Sequence, residues 1–171
     1  MRITNLFRLG IILSITLLLT ACGFQLRNNS HWPPAFHTVN LDMPSLNTNF
    51  SSRIEQLIRG MNSTITQHDT NAYSIVIQNI QFYHNQPPIT TSNQAITFTF
   101  TFAVTLSIKD PKLKTLYGPI LLTTTQPMIV NSNQIYSNTA ESIVRPMLEQ
   151  RMVSLIYDHL TSETLAAKLS H

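Results

Sequence analysis

The sequence has 171 residues, of which 11% are charged and 43% are hydrophobic, and its formal net charge is +3. This length allows one domain with a buried core. Without the two basic residues of the first 21 positions the net charge falls to about +1, which argues against a nucleic-acid-binding protein. The single cysteine excludes a disulfide bond within the chain.

The first 21 residues have the organisation of an export signal. Arg2 and Arg8 give a basic start, and the apolar run Leu9–Thr20 follows. This run is too short to span a bilayer comfortably and ends in small residues, so a signal peptide is preferred over a transmembrane helix. We therefore expect a lipoprotein signal peptide at 1–21, a lipidated N terminus and tether at 22–36, and a single α+β domain at 37–171.

Cys22 ends the stretch Leu-Thr-Ala-Cys, which resembles the bacterial lipobox. In that class of signals the cysteine sulfur receives a diacylglycerol, and the amino group freed by cleavage is acylated. Two or more acyl chains hold a protein stably at a membrane. The alternative is a buried structural cysteine that follows a signal. Residue 23 is glycine and not aspartate, so the resemblance implies the periplasmic face of a Gram-negative outer membrane.

Three segments between residues 27 and 62 have recognisable patterns. Two consecutive prolines make Arg27–Phe36 an extended tether, and the alternation that follows predicts a short strand over His37–Pro44. An amphipathic helix is predicted over Ser51–Asn62, with a capping box formed by Ser52 and Glu55 near its start. The apolar stripe of this helix consists of Ile54, Leu57, Ile58 and Met61.

Three strands are predicted in the middle of the chain, over Ala72–His84, Ala95–Asp110 and Thr115–Val130. In the first strand the alternation changes phase, which indicates a β-bulge near Gln78–Asn79. In the second strand Phe, Val, Leu and Ile alternate with Thr, Ser and Ala, so one face must be buried and the other is small, polar and uncharged. In the third strand Pro119 favours an edge position or a bulge.

A second amphipathic helix is predicted over Ser137–Leu160, with Asn138 as a cap and Pro146 as a kink or a start, and the tail from Thr161 is expected to be short or frayed. Its apolar stripe consists of Ile143, Val144, Met147, Leu148, Met152, Leu155, Ile156 and Leu160. The order β-α-β-β-β-α predicts a two-layer α+β sandwich. This is a four-stranded, mostly antiparallel sheet with two helices on one face.

Motifs of catalysis and metal binding are missing from the sequence. The six histidines are scattered, and no phosphate-binding glycine loop or nucleophile elbow occurs. The basic cluster Lys109–Lys114 is best explained as a solvated turn between strands. We expect no enzymatic activity, no metal and no cofactor apart from the covalent diacylglycerol and N-acyl chain at Cys22.

The stretch Cys-Gly-Phe-Gln-Leu-Arg at Cys22–Arg27 resembles the start of LptE, the lipopolysaccharide-assembly lipoprotein family, with Phe24, Leu26 and Arg27 matching. The predicted first helix, the long Thr/Phe strand, Leu116–Ile120 and the last helix are similar to the corresponding family elements. The resemblance covers nearly the whole mature chain. It implies a non-enzymatic, one-to-one plug and assembly factor of the LptD outer-membrane β-barrel, in contact with lipopolysaccharide on its way to the outer leaflet.

Partner and lipopolysaccharide contacts are expected from the segments that this resemblance indicates, namely from Phe24, Ile89, Thr90, Thr91, Tyr136 and Arg145. In the family the lipopolysaccharide contact is usually ascribed to basic residues before the long strand and near the start of the last helix. Here the segments Pro87–Gln94 and Asn131–Glu141 contain no Lys or Arg, and Arg145 is the nearest basic residue. We therefore expect the plug role to be stronger than direct lipopolysaccharide binding.

Several alternatives stay open at this point. The Thr/Ser face of the long strand is either enclosed by a polar barrel wall or an ordinary solvent-facing β-surface, where Thr is favoured anyway. The runner-up function is another outer-membrane lipoprotein, pilotin-like or an enzyme activator. A third is a periplasmic binder of small ligands. It requires a cavity between sheet and helices, which packing of Phe98, Phe100 and Phe102 against Ile143, Met147 and Leu155 would fill.

Overall fold

The computed structural model describes residues 32–44, 48–85, 96–130 and 138–170. The strands are β1 (Thr38–Asp42), β2 (Thr64–Thr66), β3 (Tyr73–Asn85), β4 (Ile96–Lys109) and β5 (Thr115–Val130). The helices are α1 (Thr48–Gly60), α2 (Asn138–Leu160) and α3 (Glu163–Leu169), and a short 3-10 helix at Pro34–Phe36 precedes β1.

The strands form one mixed sheet in the order β2-β1-β3-β4-β5. β1 pairs in parallel with β2 and β3, whereas β3–β4 and β4–β5 are antiparallel. The α+β class is therefore confirmed, but the prediction of four strands and two helices is wrong. β2 was missed because three residues carry too little pattern, and it exists because α1 returns the chain alongside β1 as a parallel crossover.

The apolar face of β4 lies in the core, as its alternation predicts. Its even-numbered residues from Phe98 to Ile108 are at most 4% exposed. Phe102 packs edge-to-face on Phe50 of α1, with ring centroids 5.0 Å apart. Burying a side chain of this size contributes about 1.5–3 kcal/mol, so this one strand supplies much of the core.

The predicted irregularities in the sheet are confirmed. The β3–β4 register shifts between Gln78 and Gln81, where Asn79 has a φ of 52°. Among the described strands β5 forms one edge of the sheet, and its register with β4 shifts between Leu106 and Ile108, opposite the segment that contains Pro119. Pro119 thus has both of the locations that a proline tolerates in a sheet.

The predicted stripe of α2 is correct for one row of residues and wrong for another. The buried row is Val144, Leu148, Met152, Ile156 and Leu160. Ile143 and Met147 are 66% and 37% exposed, so neither fills the space above β4. Pro146 is exposed, and α2 continues through it because the backbone bond that a proline removes lies on the solvent side.

The element ends also differ from the prediction. α1 starts at Thr48, so Ser52 lies inside the helix and the predicted capping box is wrong. The predicted tether does not extend as far as Phe36. Phe36 is fully buried, and the Trp32 indole Nε1 donates a hydrogen bond to the Ser63 hydroxyl at 2.9 Å, so both residues belong to the folded domain. The tail after Thr161 is helical, since the Ser162 hydroxyl accepts a bond from Leu165 N and caps α3.

Candidate functional site: the open face of the sheet

All three helices pack on the face of the sheet that carries the even-numbered residues of β4. The opposite face, here called the open face, has no helix over it within the described residues. Its centre consists of the odd-numbered residues of β4 from Thr97 to Ser107. The strands β3 and β5 lie on either side of this centre. Among the described residues, the open face is therefore the face of the sheet that is available to a partner.

Cross-strand pairing gives the open face its composition. Thr101 lies between Tyr83 of β3 and Thr125 of β5, and Ala103 lies between Gln81 and Thr123. Thr101 is only 9% exposed in the chain by itself. The low exposure of Thr101 therefore needs no partner protein, whereas Thr99, Thr105 and Ser107 remain partly exposed.

Large apolar side chains occur at the margins of the open face. Tyr83 is 50% exposed, Leu121 is 67% exposed and Ile129 is 70% exposed. The odd-numbered positions of β4 from Thr97 to Ser107, and of β5 from Leu121 to Ile129, carry no charged residue. An exposed surface that combines these apolar groups with neutral hydroxyl groups is better suited to contact another protein than to face bulk water.

Among the residues that the structure describes on the open face, the charged ones lie towards the end near the β4–β5 turn. A groove of about 530 Å³ lies there between β1, β3 and the turn. Its polar lining consists of Asn40, Asp42, Gln67, His68, Asp69, Thr70, Ser74 and Lys109. The Asn40 side chain holds one wall in place, because its Nδ2 donates to Asp69 O at 2.8 Å and its Oδ1 accepts from Asp69 N at 3.0 Å. This charged groove marks the boundary of the neutral surface.

Most of the site residues predicted from sequence lie outside the described residues, namely Cys22, Phe24, Ile89, Thr90, Thr91 and Tyr136. Arg145 lies on α2, in the helical layer, so the structure does not bring it to the open face. Its Nε donates to Glu149 Oε1 at 3.2 Å, and its guanidinium lies 5.4 Å from the Phe82 ring centroid. The Glu149 side chain is only 3% exposed, so Arg145 compensates a buried carboxylate.

Sequence reasoning missed the exposed apolar residues of the open face. Leu121 and Ile129 belong to a strand whose alternation is weaker than that of β4, because Ile120, Leu121 and Leu122 are consecutive apolar residues. Only the register, which pairs Leu121 with Thr105 and Ile129 with Thr97, assigns them to this face. The local sequence therefore contains no signal for this assignment.

Comparison with known proteins gives structural matches only. No protein-family model and no curated protein sequence matches the chain. Lipoprotein B of Nitrosomonas europaea superposes with a TM-score of 0.65 at 18% identity, over 87% of this chain and 97% of that one. The minor lipoprotein of Acinetobacter baumannii superposes with a TM-score of 0.60 at 13% identity, over 74% and 93%.

A third solved structure, rare lipoprotein B of Shewanella oneidensis, has a TM-score of 0.57 at 9% identity, over 78% of this chain and 97% of that one. The fold is therefore that of a class of bacterial lipoproteins. Rare lipoprotein B is the protein also called LptE, so the resemblance to LptE read from the sequence is confirmed at the level of the fold.

Neither a membrane helix nor a metal cluster is found in the described part of the chain. No helix in residues 32–44, 48–85, 96–130 or 138–170 is long and apolar enough to cross a membrane. Within the same ranges no group of three or more His, Cys, Asp or Glu side chains could hold a metal ion.

Proposed function

We propose that this chain is a lipid-anchored outer-membrane lipoprotein of the LptE type that plugs the LptD β-barrel and assists its assembly. The observation that carries the proposal is the open face, where neutral hydroxyl groups and exposed apolar side chains cover three strands and no helix of the described residues lies above them. The fold likeness to lipoproteins supports the same class. The role is structural, and no catalytic chemistry is assigned to it.

The physical reason for a neutral face is desolvation. The interior of a large outer-membrane barrel is polar, and a plug loses water where it touches the wall. Burying an unpaired Lys or Glu there would cost on the order of several kcal/mol. A buried threonine hydroxyl avoids most of its smaller desolvation penalty by making a single hydrogen bond. The same enclosure is favourable for the exposed apolar side chains, because it removes their surface from water. These side chains are Leu121, Ile129 and Tyr83.

The anchor in this proposal is Cys22, with a thioether-linked diacylglycerol and an amide-linked acyl chain. A Cys22→Ser variant that keeps the rest of the signal should leave the membrane fraction, whereas Ser14→Ala within the apolar run should not. Retention of the serine variant in washed membranes would contradict the lipid anchor.

Lipopolysaccharide contact is a secondary part of the proposal. Arg145 already pairs with Glu149 and Phe82, so a phosphate would have to compete with a buried carboxylate for it. We expect the purified protein to bind lipopolysaccharide weakly and Arg145→Ala to change that binding little. Tight binding that depends on Arg145 would contradict this part.

Co-purification and labelling test the plug role together. Mild detergent extraction should recover a barrel-sized partner that mass spectrometry identifies, and recovery of an envelope enzyme or secretion protein instead would favour the runner-up class. A cysteine at Thr97 on the open face should react with a water-soluble maleimide in the free protein and be protected in the complex. Gln56→Cys on the helical layer shows whether protection is specific to the open face. Equal labelling of Thr97→Cys in both states would overturn the enclosure of this face.

A further inference from the structure

The outer edge of β5 has backbone groups that pair with no other strand of the described residues. Ile120 pairs with Leu106, and a side chain at Gly118 would lie close to both Leu106 O and Ile120 N, as expected if these two atoms are hydrogen-bonded. The even-numbered residues of β5 therefore direct their backbone groups towards β4. The odd-numbered residues direct theirs outward.

Two further observations agree with this direction. Pro119 and Pro127 are both odd-numbered, and a proline without an N–H is tolerated where that group would point away from the sheet. The carbonyl of Thr125 accepts a bond from Arg151 Nη1 of α2 at 3.4 Å, which requires an accessible oxygen. The outward set between the prolines is thus Leu121, Thr123 and Thr125.

This edge lacks the charges by which natural proteins protect exposed strands. β5 has 16 residues and none is charged. A charged strand that paired with its own copy would bring like charges together, and this one would not. Within the described part of the chain, this edge is protected by the prolines at its ends and by Arg151 at Thr125, so the segment between Pro119 and Pro127 remains able to pair.

We propose that a second copy of this chain pairs with the β5 edge in antiparallel orientation about a two-fold axis at Thr123. Pro119 and Pro127 are each four residues from Thr123, so Pro119 of one copy lies opposite Pro127 of the other. No backbone N–H of either copy therefore faces a position where a proline cannot pair with it. Thr123 then opposes Thr123 of the copy, and Leu121 opposes Thr125. Each of these pairs exchanges both backbone hydrogen bonds, and Thr–Thr pairs across strands are favourable.

Arg151 limits this pairing without preventing it. Its bond to Thr125 O is long, and a carbonyl oxygen has two lone pairs, so it can accept from Leu121 of the copy as well. Self-pairing concerns the lipoprotein outside a barrel and does not depend on the plug role. We expect it wherever a membrane or micelle concentrates the anchored chains.

Site-specific cross-linking tests the register in full-length, lipidated protein produced without added barrel. A short bifunctional thiol reagent should dimerise Thr123→Cys. Leu121→Cys alone should not react with its copy, because two-fold symmetry separates the two positions by about 13 Å. Mixing Leu121→Cys with Thr125→Cys chains of different tag size should restore a dimer, and Thr97→Cys, one strand inward, should give none.

Two further variants make the outcome decisive. Thr123→Pro should keep the fold, because its N–H points away from β4, yet it should reduce the Leu121/Thr125 cross-link at least fivefold. Arg151→Ala should increase that cross-link. Failure of Thr123→Cys to dimerise, dimers at Thr97→Cys of equal yield, or capture of a different protein would each overturn self-pairing and would leave the barrel proposal unaffected.

Discussion

Leu113 has the backbone conformation that glycine usually supplies. Its φ is 63°, and its side chain is 69% exposed at the tip of the β4–β5 turn. The other two non-glycine residues of positive φ among those described, Asn62 and Asn79, have side chains that tolerate this region. Asp110 holds the turn together, since its carboxylate accepts from Lys114 N and its carbonyl from Leu113 N, both at 2.8 Å. The strain at Leu113 is therefore imposed by the turn.

Leu113→Gly should stabilise the protein by about 0.5–1 kcal/mol, because relief of the left-handed strain exceeds the added entropy of the unfolded chain. The measurement is the free energy of unfolding in urea. Lys112→Gly is the matched control, since its φ is not positive, and it should destabilise. A lower stability for Leu113→Gly would show that its exposed side chain contributes more than the strain costs.

Arg145→Ala should lower the free energy of unfolding by about 1–3 kcal/mol, since it leaves the buried Glu149 carboxylate without this guanidinium. Adding Glu149→Leu should recover much of the loss, as the pair is then removed together. Arg151→Ala, at an exposed guanidinium, is the control. If the single and double variants are equally unstable, Glu149 is stabilised by other groups.

At the scale of elements, β5 depends on one glycine. Gly118 has a φ of 80°, and an added Cβ would lie 2.4 Å from Leu106 O, a backbone atom that cannot move aside. Gly118→Ala should therefore cost about 2 kcal/mol or more in thermal or urea unfolding. Gly60→Ala, at the end of α1 with nothing within 4 Å, should be neutral or stabilising. Equal effects of both substitutions would contradict this account of β5.

α3 contributes to the core through Leu165, which is fully buried. Leu165→Ala should destabilise the domain by about 2–5 kcal/mol, the usual cost of such a cavity. Thr164→Ala, on the exposed side of α3, should change stability by no more than about 0.5 kcal/mol. Unfolding followed by circular dichroism measures both. A negligible effect of Leu165→Ala would mean that α3 is a dispensable appendage.

For the whole molecule, sequence periodicity predicted the elements that carry a long repeat. β4 was predictable because six consecutive even-numbered positions are apolar. β3 was predictable because a single bulge explains the change of phase in its alternation. β2 and the burial of Glu149 were not predictable, because each depends on where α1 and α2 lie in the folded chain. α3 had a usable signal, since Ser162 and Glu163 form a capping serine followed by an acidic first turn.

The candidate site was predictable in chemistry and less so in extent. The uncharged Thr/Ser face of β4 follows from alternation alone. The contributions of Leu121 and Ile129 required the register between β4 and β5, which no local pattern contains. Arg145 could be predicted as the nearest cation but not as the partner of a buried carboxylate.

The fixed start of the domain would limit the distance between the domain and a lipid attached at Cys22. Trp32 is bonded to Ser63 and Phe36 is buried, so the chain is held from Trp32 onward. If Cys22 carries the lipid, nine residues separate it from Trp32, and the ten steps from Cys22 to Trp32 can span at most about 35 Å. The domain would then stay within roughly one bilayer thickness of the membrane that holds the lipid.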